Sequence, residues 1–186
     1  MFFLGIRLEI EGNLDESCDL ILINHQSMLD IIVMEHLHNR NIAWVAKKEI
    51  TDLFFFGHII KAPRMISIDR ENKAGLIHLL SEAKDRLSKG RPIAMFPEGT
   101  RSDGTYIGEF KAGAKMVGNK FNLKVQPVVM FNTRNIVNSQ KMEAAPGVVK
   151  VIYLEPIVAS KDTSWYEDCE KNMKEVFEKE YKNYVS

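Results

Sequence analysis

Asn24-His25-Gln26-Ser27-Met28-Leu29-Asp30 is the stretch on which the reading of the fold turns. It follows a short apolar run, Leu20 to Ile23, and opens a segment in which Leu29, Ile32, Val33, His36 and Leu37 fall at helical spacing. A buried strand that ends where a helix begins is the repeating unit of an α/β fold. An imidazole sits at that junction, with a carboxylate a few positions on. With the helix running from Ser27 to about Asn39, Asp30 lies in its first turn and can fold back towards His25. A neutral imidazole oriented by a carboxylate is a general base suited to removing a proton from a hydroxyl. Ser27-x-x-Asp30 ahead of an apolar run is also a capping box, in which Asp30 simply caps the helix. Spacing alone leaves both readings open.

Working outward, the same alternation repeats. Ile6 to Glu11 alternates apolar and charged residues and predicts a half-exposed strand ended by Gly12-Asn13. Ile42 to Ala46 and Pro92 to Phe96 predict buried strands, and Met65 to Ile68 a further strand. Glu71 to Ser88 predicts a helix, with Leu76, Leu79, Leu80, Ala83 and Leu87 on one face and Gly90 as its stop. Leu53 to Ile60, the most apolar stretch, reads equally as a core helix or the wall of an apolar pocket. Lys111 to Phe121 predicts a short helix. Its Gly113-x4-Gly118-Asn119-Lys120 resembles a phosphate loop only superficially, since the lysine is one place late and no Ser or Thr follows. Val125 to Phe131 contains Pro127, which predicts an edge or bulged strand. Asn132 to Gly147 reads as a polar excursion, Val148 to Leu154 as the last strand. Trp165 to Tyr184 predicts a helix with Met173, Val176, Phe177 and Tyr181 inward. The expected architecture is a single α/β domain over residues 1–186, a mixed, mostly parallel sheet covered by helices.

Composition narrows the chemistry. Hydrophobic residues make up 45% and charged residues 27%, the profile of a folded protein of 186 residues. Lysine plus arginine equals aspartate plus glutamate at 25 each, so overall charge argues for no nucleic-acid partner. Cys18 and Cys169 have no metal spacing and form no disulfide framework, which fits a reducing cytoplasm. His36-x-His38 puts its rings on different sides of a helix, and no third ligand accompanies it. The chain is expected to need no metal and no cofactor. No apolar run approaches the roughly 18–20 residues needed to span a bilayer, and no signal peptide is present.

Three features then share a logic: His25 with Asp30, Asp69-Arg70 after one strand, and Pro97-Glu98-Gly99-Thr100-Arg101-Ser102 after another. Each follows the carboxyl end of a predicted strand, where an α/β sheet binds ligands. A hydroxyl activated by His25 and an anion held by Arg70 and Arg101 describe a phosphorylated acceptor alcohol. No Gly-x-Ser-x-Gly elbow is present and Cys18 lacks an activating partner, so direct acyl transfer is favoured over an acyl-enzyme.

His25-x4-Asp30 followed by Phe96-Pro97-Glu98-Gly99-Thr100-Arg101-Ser102 resembles the glycerophospholipid acyltransferase family, and most closely its bacterial lysophosphatidic acid acyltransferases. Lys47 through Gly57 to Ile68-Asp69-Arg70 is similar to the family's second block, and Val125-Gln126-Pro127-Val128 to its fourth; Phe110-Lys111-x-Gly113 is also typical. Phe54 stands where a proline is usual and Arg64 where a small residue is usual, departures that bear on pocket shape. The resemblance implies a glycerol-3-phosphate acyltransferase-like fold. It further implies catalysis by His25 and Asp30, and substrate binding by Lys47, Arg70, Glu98, Gly99, Thr100 and Arg101. The implied reaction moves a fatty acyl group from acyl-CoA or acyl-carrier protein to 1-acyl-sn-glycerol-3-phosphate (lysophosphatidic acid), giving phosphatidic acid. Other lysophospholipid or lyso-aminolipid acceptors are alternatives, as is a non-catalytic lipid-phosphate binding module. The implied location is peripheral, at the cytoplasmic face of the inner membrane. The family's N-terminal membrane-associated helical segment is expected to be absent and the chain soluble as given, with Phe2, Phe3, Leu4 and Phe54 to Phe56 as candidate contacts with the membrane surface.

Overall fold

Leu20–Ile23 (β2) is the centre of the molecule: all four side chains are fully buried and both of its edges are paired. The period of two along a strand sends Leu20 and Leu22 to one face and Ile21 and Ile23 to the other. A run that is apolar at every position therefore needs cover on both sides, as parallel sheets have. The computed structural model describes residues 5–47, 65–68, 73–138, 141 and 143–185.

Among these, the sheet runs in the order β1 (Ile6–Glu11), β9 (Gly147–Tyr153), β6 (Lys124–Phe131), β2, β5 (Ile93–Met95), β3 (Ala43–Lys47) and β4 (Ile66–Ile68). β10 (Ile157–Val158) also pairs with β6. The β6–β9 and β6–β10 pairings are antiparallel and the others parallel, the expected mixed, mostly parallel sheet. On one face lie α2 (Lys73–Ser88), α3 (Ala112–Phe121) and α5 (Trp165–Val185), which bury Leu79, Val117, Met173 and Phe177 against Leu20, Leu22 and Val129. On the other, α1 (Leu29–Leu37) and the short α4 (Thr133–Ile136) bury Leu29, Val33, Met34 and Ile136 against Ile21, Ile23 and Met130. Each such large side chain contributes roughly 1.5–3 kcal/mol by leaving water.

Two expectations are corrected. Pro127 does not make β6 an edge strand; β6 is internal, between β2 and β9. Pro127 sits opposite Leu22 of β2, while on its other side the β10 pairing ends at Val125 and the β9 pairing begins at Val128. Its missing N–H therefore falls in the gap between two partner strands, and its carbonyl still accepts the Leu154 N–H at 3.0 Å. Gln126 closes the gap by donating from Nε2 to the Leu154 carbonyl at 2.6 Å. Nor is the strand starting near Val148 the last, since β10 follows it. The polar excursion is likewise partly ordered: it holds α4 and a small hairpin of β7 (Val137–Asn138) and β8 (Glu143–Ala144).

Gly118 shows what the false phosphate-loop pattern is for. A Cβ there would lie 2.7 Å from the Trp165 ring, so glycine lets α3 and α5 approach closely. The next residue, Asn119, accepts the Trp165 indole N–H at 2.7 Å.

The sheet order places the functional loops. Leu22 of β2 pairs with Met95 of β5, so the two carboxyl ends lie side by side. From β2 the chain turns through α1 on one face to reach β3; from β5 it turns through α3 on the other face to reach β6. The two connections diverge at that edge, the kind of position at which α/β sheets bind ligands.

Candidate active site

His25 lies just past the end of β2, and its Nδ1 is 2.8 Å from Oδ2 of Asp30. Asp30 is completely buried. Its Oδ2 also accepts the backbone N–H groups of Gln26 at 2.7 Å and Ser27 at 2.9 Å, and its Oδ1 accepts the hydroxyl of Thr133. A buried carboxylate with this many donors is held in one place. With an acceptor carboxylate at Nδ1, a neutral imidazole carries its proton there and presents its lone pair at Nε2.

The two readings of Asp30 are thus not exclusive. Its bond to the Ser27 N–H is half of a capping box. The reciprocal half is missing, because the Ser27 hydroxyl donates to the Val137 carbonyl at 2.6 Å and accepts from the Leu29 N–H. Diverting Ser27 in this way also explains why α1 starts at Leu29 and not at Ser27.

The loop after β5 grips the main chain of His25 from both sides. The His25 N–H donates to Glu98 Oε1 at 2.7 Å, and the His25 carbonyl accepts the Ser102 N–H at 2.8 Å. Glu98 Oε2 accepts the Gly108 N–H at 2.6 Å. Both oxygens of Glu98, a residue predicted to contact substrate, are therefore spent on backbone amides, and the side chain is buried. Burial pushes its carboxyl above the usual range, and the two amide bonds pull it back less strongly. Phe96 completes the cradle, stacked on the imidazole with ring centroids 3.7 Å apart and planes 13° from parallel. Trp44 continues the stack at 5.3 Å from Phe96. Only 13% of the His25 side chain remains exposed.

Gly99 turns the loop with a φ of +75°, a conformation glycine adopts without strain. Thr100 is exposed and Arg101 half-buried in the same loop, so the structure brings His25, Asp30, Glu98, Gly99, Thr100 and Arg101 to one sheet edge. Lys47 ends β3, but its side chain lies outside the described residues. So do Arg70 with Asp69, the apolar stretch Leu53 to Ile60, Arg64, and Phe2 to Leu4. Both cysteines are buried, with their thiols pushed up by burial to about 11 at Cys18 and about 12 at Cys169, so neither is a ready nucleophile. His38 is buried and accepts the Arg40 N–H at Nδ1, while His36 is exposed.

Comparisons with known proteins bear on this site. A family model described as acyltransferase matches residues 6–131. The chain is 42% identical over 182 residues to a 1-acyl-sn-glycerol-3-phosphate acyltransferase of Helicobacter pylori, covering 95% of this chain and 76% of that protein. The chain belongs to the acyltransferase family. Among further relatives is a lyso-ornithine lipid O-acyltransferase of Brucella abortus, 32% identical over 138 residues, 70% of this chain and 51% of that protein. The crystal structure of the Thermotoga maritima 1-acyl-sn-glycerophosphate acyltransferase superposes with a TM-score of 0.76 at 24% identity. It covers 98% of this chain and 74% of its own, and at that identity it speaks for the fold.

Several residues that shape this candidate site carry a weak functional signal in the sequence, or none. Asn24 ties the end of β2 to β6, donating to the Met130 carbonyl at 2.9 Å and accepting the Met130 N–H at 2.6 Å. The Gln26 side-chain carbonyl accepts the Thr133 N–H at 3.2 Å. Arg134 donates to the Ser102 carbonyl at 3.3 Å. Asn24 and Gln26 do have a signal of sorts, being polar residues directly beyond a buried run. Thr133 and Arg134 have none, because they lie more than a hundred residues from the histidine and meet it only through the sheet.

Proposed function

We propose that this acyltransferase moves a fatty acyl group from a thioester donor, acyl-CoA or acyl-carrier protein, to the free hydroxyl of 1-acyl-sn-glycerol-3-phosphate, giving phosphatidic acid. The reading rests on one observation above all: His25 is held through Nδ1 by a buried carboxylate while the Glu98–Ser102 loop clamps its main chain. A base fixed in both ring and backbone suits proton removal from an alcohol that is not otherwise nucleophilic. Nε2 takes the hydroxyl proton as the alcohol oxygen attacks the thioester carbonyl. The tetrahedral intermediate then collapses, the C–S bond breaks, and the departing thiolate takes the proton back from the imidazolium. Asp30 stabilises the transient charge on the ring without accepting the proton.

Arg101, with Arg70 and Lys47, is the proposed grip on the acceptor phosphate, since a guanidinium fork suits a phosphate bidentately. Arg101→Ala is expected to raise KM for the acceptor about tenfold or more, with a smaller change for the donor. Arg101→Lys should recover only part of that, keeping the charge and losing the fork. Separate KM values for the two substrates check it; an increase confined to the donor would assign the arginine to the donor instead.

No helix among the described residues is long and apolar enough to cross a membrane. A lyso-acceptor with a long chain partitions into bilayers, so the proposal includes peripheral work at a membrane surface, on its cytoplasmic side. The decisive test offers the purified protein labelled 1-acyl-sn-glycerol-3-phosphate and lyso-ornithine lipid, each with acyl-CoA and with acyl-carrier protein. Phosphatidic acid should be the product. Transfer to the phosphate-free acceptor alone would replace the phosphorylated acceptor with an aminolipid.

A further inference from the structure

Asp30 spends its two oxygens unequally. Oδ2 takes three donors, all from the segment His25 to Ser27, whereas Oδ1 accepts the hydroxyl of Thr133, 103 residues away. Thr133 is fully buried and opens α4, lying beyond the span that the family model matches. Its hydroxyl is also 3.1 Å from Gln26 Oε1. One hydroxyl has one proton, and the shorter contact to the charged oxygen takes it. Gln26 Oε1 is then satisfied by the Thr133 backbone N–H.

The delivery of this hydroxyl is built with some care. Asn132 leaves β6 in the left-handed conformation, φ +72°, which asparagine tolerates better than most residues. Its side-chain amide donates to the Val148 carbonyl at 2.9 Å, fixing the turn to β9. At the other end of α4, the Val137 carbonyl accepts the Ser27 hydroxyl. α4 is thereby pinned to the His25–Asp30 segment at both ends.

We infer that Thr133 is a positioning residue for catalysis: its hydroxyl holds Asp30 Oδ1, and so sets the angle at which Oδ2 meets Nδ1 of His25. Without it, Asp30 keeps its three local donors on one oxygen and can pivot about that oxygen, carrying the imidazole with it. The effect on the substrate is indirect, so turnover should suffer and affinity should not. The inference rests on His25 acting as the base in the proposed reaction.

The experiment compares Thr133→Val and Thr133→Ser, alone and with Asp30→Asn, after circular dichroism has established folding. Thr133→Val should lower kcat about tenfold while leaving both KM values within about twofold. Thr133→Ser, which restores the hydroxyl, should return to within about threefold of the parent. In the Asp30→Asn background the valine should cost less than about twofold, because the route of its action is gone. Should valine not fold, Thr133→Cys carries the same expectation, its thiol being a far weaker donor. A second readout needs no substrate: the downfield proton resonance of the His25 Nδ1–H should be present in the parent and in Thr133→Ser, and lost or broadened in Thr133→Val. An unchanged kcat and resonance in Thr133→Val would overturn the inference. So would a serine variant as impaired as the valine, or effects that multiply in full with Asp30→Asn. If the resonance behaves as expected while no variant, parent included, acylates the lyso-acceptor, the reading of the substrate fails and the positioning role of Thr133 stands.

Discussion

His25→Ala is expected to lower kcat by about 10²–10⁴-fold, the usual share of a general base, in a protein that remains folded. Retention of the fold follows from where the bonds are. Asp30 loses one donor of four and keeps Gln26, Ser27 and Thr133, so no buried charge is left without partners. Phe96 loses the imidazole stacked on it, at the margin of the core. Asp30→Asn should reduce kcat to a comparable degree by a different route. An amide has one acceptor oxygen where the carboxylate has two, and its NH2 group can face Nδ1, favouring the wrong tautomer. Unlike His25→Ala it should also destabilise the protein, by about 1–3 kcal/mol, because the N–H groups of Gln26 and Ser27 lose their acceptor. Single-turnover rates with labelled acceptor, read beside urea unfolding, separate the two variants. Near-normal turnover in folded His25→Ala would remove the histidine from the mechanism.

The second large effect is expected at Glu98, a residue whose position in a ligand loop suggests substrate contact and whose hydrogen bonds indicate otherwise. Glu98→Ala strips the acceptor from two half-buried N–H groups, those of His25 and Gly108. Each orphaned amide costs about 1–3 kcal/mol, so a loss of about 2–6 kcal/mol is expected. The side chain is also one of the two links between the loop and the His25 main chain. A base displaced by about 1 Å can cost about 10²-fold in rate, and a fall of that order in kcat is expected. Glu98→Gln keeps one acceptor and should fall between. Stability and KM together decide the role: a stable Glu98→Ala protein with a raised KM for either substrate would return the residue to direct contact.

Much of this was legible in order along the chain. The apolar run Leu20–Ile23, only four residues long and with polar residues on either side, already pointed to a strand buried on both faces, since a helix is usually longer. The helical spacing of Leu76 to Leu87 and of Met173 to Tyr181 marked α2 and α5 as amphipathic elements lying on that sheet. The close spacing of His25 and Asp30 made their contact a local matter, settled within one turn of chain. These are short-range consequences of residue order, and hydrophobic period and turn chemistry are enough to read them.

What the sequence could not decide was which distant segments meet. Pro127 argues for an edge when seen alone; only the register, with β10 ending and β9 beginning around it, shows that a missing N–H goes unnoticed there. Glu98 reads as a ligand residue until the parallel pairing of β2 and β5 puts its carboxylate under the His25 amide. Gln26 is a polar residue without a stated purpose until β6 carries Thr133 beside it and onto Asp30. In each case the deciding quantity is a distance across strands, set by sheet order and register. Sequence patterns report the period of an element and the face it must bury, but many sheet orders satisfy the same periods, and only the folded chain selects one.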